Sequence, residues 1–309
     1  MLAVRPYAPA DAAVWNGVVA SSRNGVLLHR RDYMDYHADR FVDQSLLVER
    51  DGEPVAVFPA NRQGGAVVSH GGLTYAGLIA TRALRAESTL AVFERIGEHY
   101  RAQGVERVVY KAVPHVFHAY PCEEDLYALH RLGARLKRRD LSSVIALHEP
   151  FRFTEERRRA VDKAKRAGLR TGIGDDLASF HALLTEVLRR HHAVPTHSVA
   201  ELDLLRSRFP GRITLHQASR EGALLAGVIV YDFGRVVHTQ YMAASEEGRR
   251  LNALNLLLAE LLDRYADRHY FSFGISTERE GQALNGGLVA QKEYFGARAI
   301  AHDFYEWVL

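Results

Sequence analysis

Cysteine is almost absent. A single thiol, Cys122, in a chain of 309 residues excludes an intrachain disulfide framework and a cysteine-rich zinc site, and fits a reducing compartment. Its neighbours are Pro121 and the acids Glu123, Glu124 and Asp125, which disfavour a thiolate, so nucleophilic catalysis by this cysteine is not expected. Long apolar runs are missing too. Nothing approaches the ~18 to 20 uninterrupted apolar residues of a membrane span, and Met1 to Pro6 lacks the apolar stretch of a secretory signal. The expected location is the cytoplasm, with no membrane span. Net charge is only +3, too small to make nucleic acid an obligatory partner. What is present is a hydrophobic content of 47%, ample for two packed cores in a chain of this length.

One pattern occurs twice. Leu132-Gly133-Ala134-Arg135 is followed by Asp140, and Phe295-Gly296-Ala297-Arg298 by Asp303, with the same offset from glycine to aspartate. Reading backwards, Gly52 to Val57 leads through Gln63-Gly64-Gly65 to Val68, as Gly222 to Val230 leads through Phe233-Gly234 to Val237. An internal repeat decides the architecture before any single element does. Two similar domains are expected, 1–150 and 151–309, joined near Glu149-Pro150, where a strand gives way to a basic helix.

Element by element, the first copy reads as a strand at Leu2 to Val4, helices from Asp11 to Ser22 and Arg31 to Phe41, and a meander at Ser45 to Glu49, Pro54 to Pro59 and Ala66 to Ser69. Leu90, Phe93, Ile96 and Tyr100 share one helix face, Gly104 ends that helix, and Arg107 to Lys111 is the next strand. In the second copy, strands Gly227 to Tyr231 and Val236 to Met242 precede an apolar stripe of Leu251, Leu254, Leu258, Leu261 and Tyr265. Strands Tyr270 to Ile275 and Ile300 to Val308 follow. A meander followed by alternating helix and strand predicts a mixed, mainly antiparallel sheet flanked by helices in each domain, an α/β (α+β) class.

The order meander, helix, strand, helix, strand resembles the GNAT acyltransferase fold, and two such units in tandem resemble its FemAB-like branch. The stretches that carry the resemblance are Ser69-His70-Gly71-Gly72-Leu73-Thr74-Tyr75, Glu124-Asp125-Leu126-Tyr127, His238-Thr239-Gln240-Tyr241, Phe273-Gly274-Ile275-Ser276-Thr277-Glu278 and Gln291-Lys292-Glu293-Tyr294-Phe295-Gly296. They are similar to the FemAB-like acetyltransferases often associated with bacterial surface polysaccharide synthesis. The resemblance implies acyl transfer. Where acyl-CoA enzymes of the fold carry Gln/Arg-x-x-Gly-x-Gly/Ala, this chain reads Arg249-Arg250-Leu251-Asn252-Ala253-Leu254 and keeps the arginine. The long helical hairpin of enzymes that use aminoacyl-tRNA has no counterpart here.

Chemistry can be assigned to positions within these stretches. The strand ending in Tyr241 and Met242 turns through Ala243 to Gly248 into a helix start beside Arg249 and Arg250, where free amides and positive partial charge suit a pyrophosphate. These six residues are the candidate donor site, although a capped and solvated helix end would look the same. Transfer to nitrogen needs a neutral amine, and an α-amino-like group with a pKa of about 7.7 to 8.0 is partly neutral near pH 7 without help. If a base is used, His238 is the first choice, with Glu278 second. Lys292 matches the lysine before the Phe-Gly step in FemAB-like enzymes, where it implies a cation at the substrate cleft, to hold a phosphate or an oxyanion. Each has a plainer alternative: a backbone-bonded strand histidine, a turn carboxylate, a lysine in an ion pair. For the acceptor, the candidates are His70 and Tyr75, with His37, Asp39, Gln240 and Ser276 as further contributors.

The leading expectation is an N-acyltransferase that uses acetyl-CoA or another acyl-CoA as co-substrate on an amino sugar, nucleotide-linked ones included, in a crevice between the domains. Attack is direct, since no activated covalent nucleophile is visible. A tRNA-borne aminoacyl donor is the alternative, supported by the basic run after Arg152, and a silent binding module is the third. No metal is expected: His191, His192 and His197 are near in sequence, as are His115 and His118, but no carboxylate completes either set.

Overall fold

The computed structural model describes residues 1–190 and 192–309; His191, one of the histidines weighed for a metal, lies outside the described residues. Contacts divide the chain into two compact units, one of Met1–Asp140, Arg279–Gln282 and Ala301–Leu309, the other of Leu141–Glu278 and Ala283–Ile300. The division thus falls earlier than the expected 150/151, inside a strand, and the end of the sequence returns to the first unit.

The first unit runs β1 (Leu2–Pro6), α1 (Ala12–Ser21), α2 (Arg31–Met34), β2 (Val42–Asp43), β3 (Leu46–Arg50), β4 (Glu53–Phe58), β5 (Asn61–Gln63), β6 (Ala66–Val68), β7 (Ile79–Ala80), α3 (Ala86–Ala102), β8 (Arg107–Lys111), α4 (Glu124–Arg131) and the first half of β9 (Arg135–Ala146). Strands β1, β3, β4 and β7 form an antiparallel sheet. A second set joins β2, β5 and β6 antiparallel, then β6 parallel to β8. The core is built from one face of α3 against these strands: Phe93, Ile96 and Tyr100 lie with Phe58, Val108, Tyr110 and Trp307. Gly97 lets the indole cross the helix, because a Cβ there would come within 2.9 Å of Trp307.

The second unit continues with α5 (Glu155–Arg166), β10 (Arg170–Gly174), α6 (Leu177–Arg189), α7 (Val199–Arg208), β11 (Ile213–Arg220), β12 (Ala223–Asp232), β13 (Val236–Ala244), α8 (Glu246–Arg250), α9 (Ala253–Arg264), β14 (Tyr270–Ile275), β15 (Thr277–Glu278), β16 (Ala283–Leu284), α10 (Gly286–Glu293) and the entry to β17 (Arg298–Val308). Strands β10 to β13 pair antiparallel, and β13 then pairs parallel with β14 over Val236–His238 only. The stripe on α9 buries Leu257, Leu258 and Leu261 against Val228, Val230 and Phe271. On α5, Arg157, Val161 and Ala164 face inward at helical spacing, so most of the basic run is a solvated face.

The repeat is real in geometry. Gly133 and Gly296 both take positive φ, +76° and +93°. At both, the glycine N–H donates to the carbonyl three residues back, His130 or Glu293, and the following alanine N–H to the one five back, Leu129 or Lys292. That double bond closes a helix in a left-handed cap, for which glycine has no Cβ penalty. Each cap launches a strand that serves the other unit: Ser142–Ala146 of β9 pair with β14, and Phe304–Val308 of β17 pair with β8.

One expected helix does not form as read. Arg31 to Phe41 is α2 followed by a 3-10 turn over Asp35–Arg40, broken at His37 with φ −126°. The break swings His37 inward instead of leaving it on a helix surface. Among the described residues, no helix is long and apolar enough to cross a membrane, and no group of three or more His, Cys, Asp or Glu is placed to hold a metal.

Candidate functional site

In the second unit β13 pairs with β14 only as far as His238, and further along β13 Met242 to Ala244 reach the start of α9. A cleft of about 370 Å³ opens there, lined by Met242, Ala243 and Ala244 of β13, Gly248 and Arg249 of α8, Asn252, Leu254 and Asn255 at the start of α9, and Val187, Leu288 and Gln291 from α6 and α10. Four of the six expected donor residues, Met242, Ala243, Gly248 and Arg249, are therefore together. The other two are elsewhere. Arg250 is exposed and outside the lining, and Tyr241 shares a 2.6 Å hydrogen bond between its hydroxyl and His197 Nδ1. Burial raises the Tyr241 hydroxyl above its ordinary pKa, so it stays protonated.

What the pattern of residues concealed is Asn252. It sits where the acyl-CoA motif has its first glycine, and its φ of 58° and ψ of 33° are left-handed. Asparagine is the next-best residue for that region, so the backbone shape of the motif survives without glycine. Asn252 Oδ1 accepts from Asn255 Nδ2 at 3.1 Å, which ties the turn down. Among the described residues, no protein acceptor takes the amides of Ala253, Leu254 or Asn255, which head α9 at the cleft. Free amides at a helix start suit an anion. The acids that would oppose one are partly answered: Glu247 pairs with Arg220 at 2.5 Å, while Glu246 is exposed. Asn252→Gly should leave this turn intact. Asn252→Val should cost about 1 to 3 kcal/mol, because a β-branched residue resists φ > 0, and a urea melt that treats the two variants alike would contradict this account of the turn.

Where the pairing with β14 ends, His238 Nδ1 lies 3.1 Å from Ser272 Oγ, with Phe233 stacked on its ring at 6.3 Å. Gln240 is the extra residue of a bulge, since Ile229 pairs with Tyr241 and Val230 with Thr239. Lys292 is buried, and its ammonium donates to Gly274 O at 2.8 Å, Ile275 O at 2.9 Å and Ser276 Oγ at 2.6 Å. Burial pulls it down to about 8, so it remains mainly charged at neutral pH. All three N–H bonds are committed, so contact with a ligand requires one to be exchanged. His238 is close by, its Cε1 3.3 Å from where a Cβ on Gly274 would be. Glu278 is exposed and accepts from Asn285 Nδ2 at 2.7 Å.

In the first unit His37 and His70 stack at 5.2 Å, with Phe41 against both. His70 holds a left-handed φ of 48°, and desolvation draws it down to about 3. Gly72 is required beside them, because a Cβ there would meet His37 Nε2 at 2.1 Å. Tyr75 is not with this pair: it is core, packed on Phe117 at 4.5 Å, with its carbonyl on His29 Nε2. Asp39 is exposed, and its carboxylate acts on His37 only through charge, opposing the desolvation that lowers the imidazole.

Comparison with known proteins bears on this geometry. Residues 152–280 match the acetyltransferase (GNAT) domain family. FemX is similar in structure over 99% of this chain and 97% of its own, at 14% identity and a TM-score of 0.71. L-PGS from Bacillus licheniformis is similar over 98% and 93%, at 14% identity and a TM-score of 0.63. A tandem GNAT protein from the clavulanic acid biosynthesis pathway, solved without AcCoA, is similar over 99% and 98%, at 12% identity and a TM-score of 0.54. No curated protein matches by sequence.

Proposed function

We propose that this tandem, FemAB-like GNAT acyltransferase moves an acyl group, acetyl in the first instance, from acyl-CoA to the amine of an amino sugar, free or nucleotide-linked. The observation that carries the donor is the cleft at the head of α9, with three uncommitted amides and Arg249. Its volume of about 370 Å³ and mixed lining suit a diphosphate at the amides and an apolar arm along Met242 and Leu254.

Direct attack asks three things of the chain. The thioester carbonyl needs a hydrogen-bond donor as negative charge develops, and the Gln240 bulge supplies a backbone position with no partner opposite, just past the end of the β14 pairing. The amine must lose a proton. His238, held through Nδ1 by Ser272, can accept it on Nε2, the acceptor nitrogen of a neutral imidazole whose Nδ1 carries the hydrogen. As the C–N bond forms the C–S bond breaks, and CoA leaves as its thiolate, to be protonated by solvent or by the His238 imidazolium; placement does the rest. Lys292, through its bonds to Gly274, Ile275 and Ser276, holds the end of β14 in position and adds a fixed positive charge beside His238. Glu278 is held as an acceptor-binding carboxylate at the rim, with Ser276 behind it.

A tRNA-borne aminoacyl donor is the second reading, favoured by the exposed Arg158, Arg159, Lys163, Lys165 and Arg166 on α5. Thermal stabilisation separates the two. Acetyl-CoA should raise the melting temperature, and Arg249→Ala should weaken its binding about tenfold, the worth of one charge-assisted contact. Stabilisation by charged tRNA with none from acetyl-CoA would reject the acyl-CoA donor.

A further inference from the structure

We propose that a second cleft, on the first unit and floored by Arg107, Lys111, Lys137 and Arg138, binds a phosphate or diphosphate group on the acceptor. It encloses about 460 Å³, and Gly71 and Phe304 complete its wall. The alternation of β8 builds the floor: Val108 and Tyr110 point into the core, which sends Arg107, Val109 and Lys111 to the other face. One carboxylate, Glu280, is in the lining against four cations.

Rows of surface cations are usually solvated, and three of these have partners. Arg107 and Lys137 share Glu306, and Arg138 holds Asp140 at 2.7 Å while lying over the Phe304 ring. Lys111 differs. It is 6% exposed, its Nζ donates to the Leu73 carbonyl, and among the described residues no acidic side chain pairs with it. Lysine is almost never buried without an anion, because the charge is costly to desolvate. Burial and then the charge of Arg138 draw it down to about 7. A dianion seated between Lys111, Arg107 and Arg138 would replace mutual repulsion with paired charge and engage donors that now have no acceptor.

The identification of the ligand as the acceptor rests on the acyl-transfer reading; the anion site does not, and the experiment keeps them apart. The full chain, saturated with acetyl-CoA so that the α9 cleft is filled, is titrated calorimetrically at low ionic strength with inorganic pyrophosphate, UDP and uridine. One site per chain should bind pyrophosphate and UDP, with uridine at least about 100-fold weaker. Arg107→Ala should weaken pyrophosphate about tenfold and Lys111→Met more, with acetyl-CoA affinity unchanged in Arg107→Ala. Arg249→Ala should leave pyrophosphate binding as it was. Because Lys111→Met alters a buried position, the partly exposed Arg107→Ala decides if the former fails to fold. No pyrophosphate binding, or binding unaffected by Arg107→Ala, overturns the anion site while leaving the donor reading standing. Pyrophosphate binding without any acetyl-CoA binding does the reverse.

Discussion

Tryptophan fluorescence should report a urea midpoint that falls steadily as pH is lowered from 7.5 to 5. Both tryptophans of the chain, Trp15 and Trp307, are buried in the first unit, so the signal follows that unit alone. Among the buried histidines of the same unit, His29 is held at about 4, His70 at about 3 and His302 at about 4, and His37 and His118 are lowered too, in each case chiefly by desolvation. His29 shows why. Its Nδ1 accepts the Val26 N–H at 3.0 Å while its Nε2 faces the Tyr75 carbonyl, so a second proton would set donor against donor. Since these pKa values lie below the unfolded value of about 6.5, the unfolded chain binds more protons between roughly pH 4 and 6.5. Stability is therefore complete above that window and is lost as pH falls through it. Asp125, raised by burial to about 6 beside Tyr110, works in the opposite sense but is one group against five. The three largest shifts less Asp125 leave about two protons, or roughly 3 kcal/mol per pH unit near pH 5. A midpoint that does not move with pH would mean that these imidazoles are hydrated or already charged.

The second large effect concerns Gly248. A Cβ at this position would lie 2.0 Å from the carbonyl oxygen of Leu225 and 2.8 Å from its carbon. Both are backbone atoms of β12, and the same oxygen accepts the Ser245 N–H at 2.9 Å, so α8 cannot retreat without breaking that bond. Gly248→Ala should cost about 1 to 3 kcal/mol. It should also displace Arg249 and weaken acetyl-CoA binding by an estimated tenfold or more, about 1.4 kcal/mol in the complex. Gly17→Ala is the internal control, since a Cβ there meets nothing within 4 Å on α1. That variant should be stabilised by about 0.4 to 1 kcal/mol. Equal behaviour of the two variants would show that α8 is free to move and that the close approach to Leu225 has no consequence for the cleft.

Local signals in the residues predicted what local forces decide. The alternating apolar positions of β13 and the stripe on α9 are legible because burial selects every second or every third to fourth side chain. The paired glycine steps at 133 and 296 are legible for a backbone reason instead, since a left-handed cap tolerates few residues. The gathering of Met242, Ala243, Gly248 and Arg249 at one cleft followed from the strand-to-helix turn. Asn252 escaped because a glycine motif was sought, whereas the requirement is on φ. His37 was named as a contributor but read on an unbroken helix, and the break at that residue is what turns it inward. The hand-over of β9 and β17 could not be read at all: Phe271 lies opposite Ile145, and Trp307 opposite Val108, pairings between positions far apart in the chain. Lys111 carried no motif, and only its burial distinguishes it from other strand lysines.

The hand-over of strands also constrains how the protein can be made. Residues 301–309, with Trp307, belong to the core of the first unit, yet they leave the ribosome only after all of 141–300. A nascent first unit must wait with Val108 and Tyr110 lacking their neighbour strand, so order cannot simply travel from front to back as synthesis proceeds. Damage near the carboxyl end is thus felt first by the amino-terminal core.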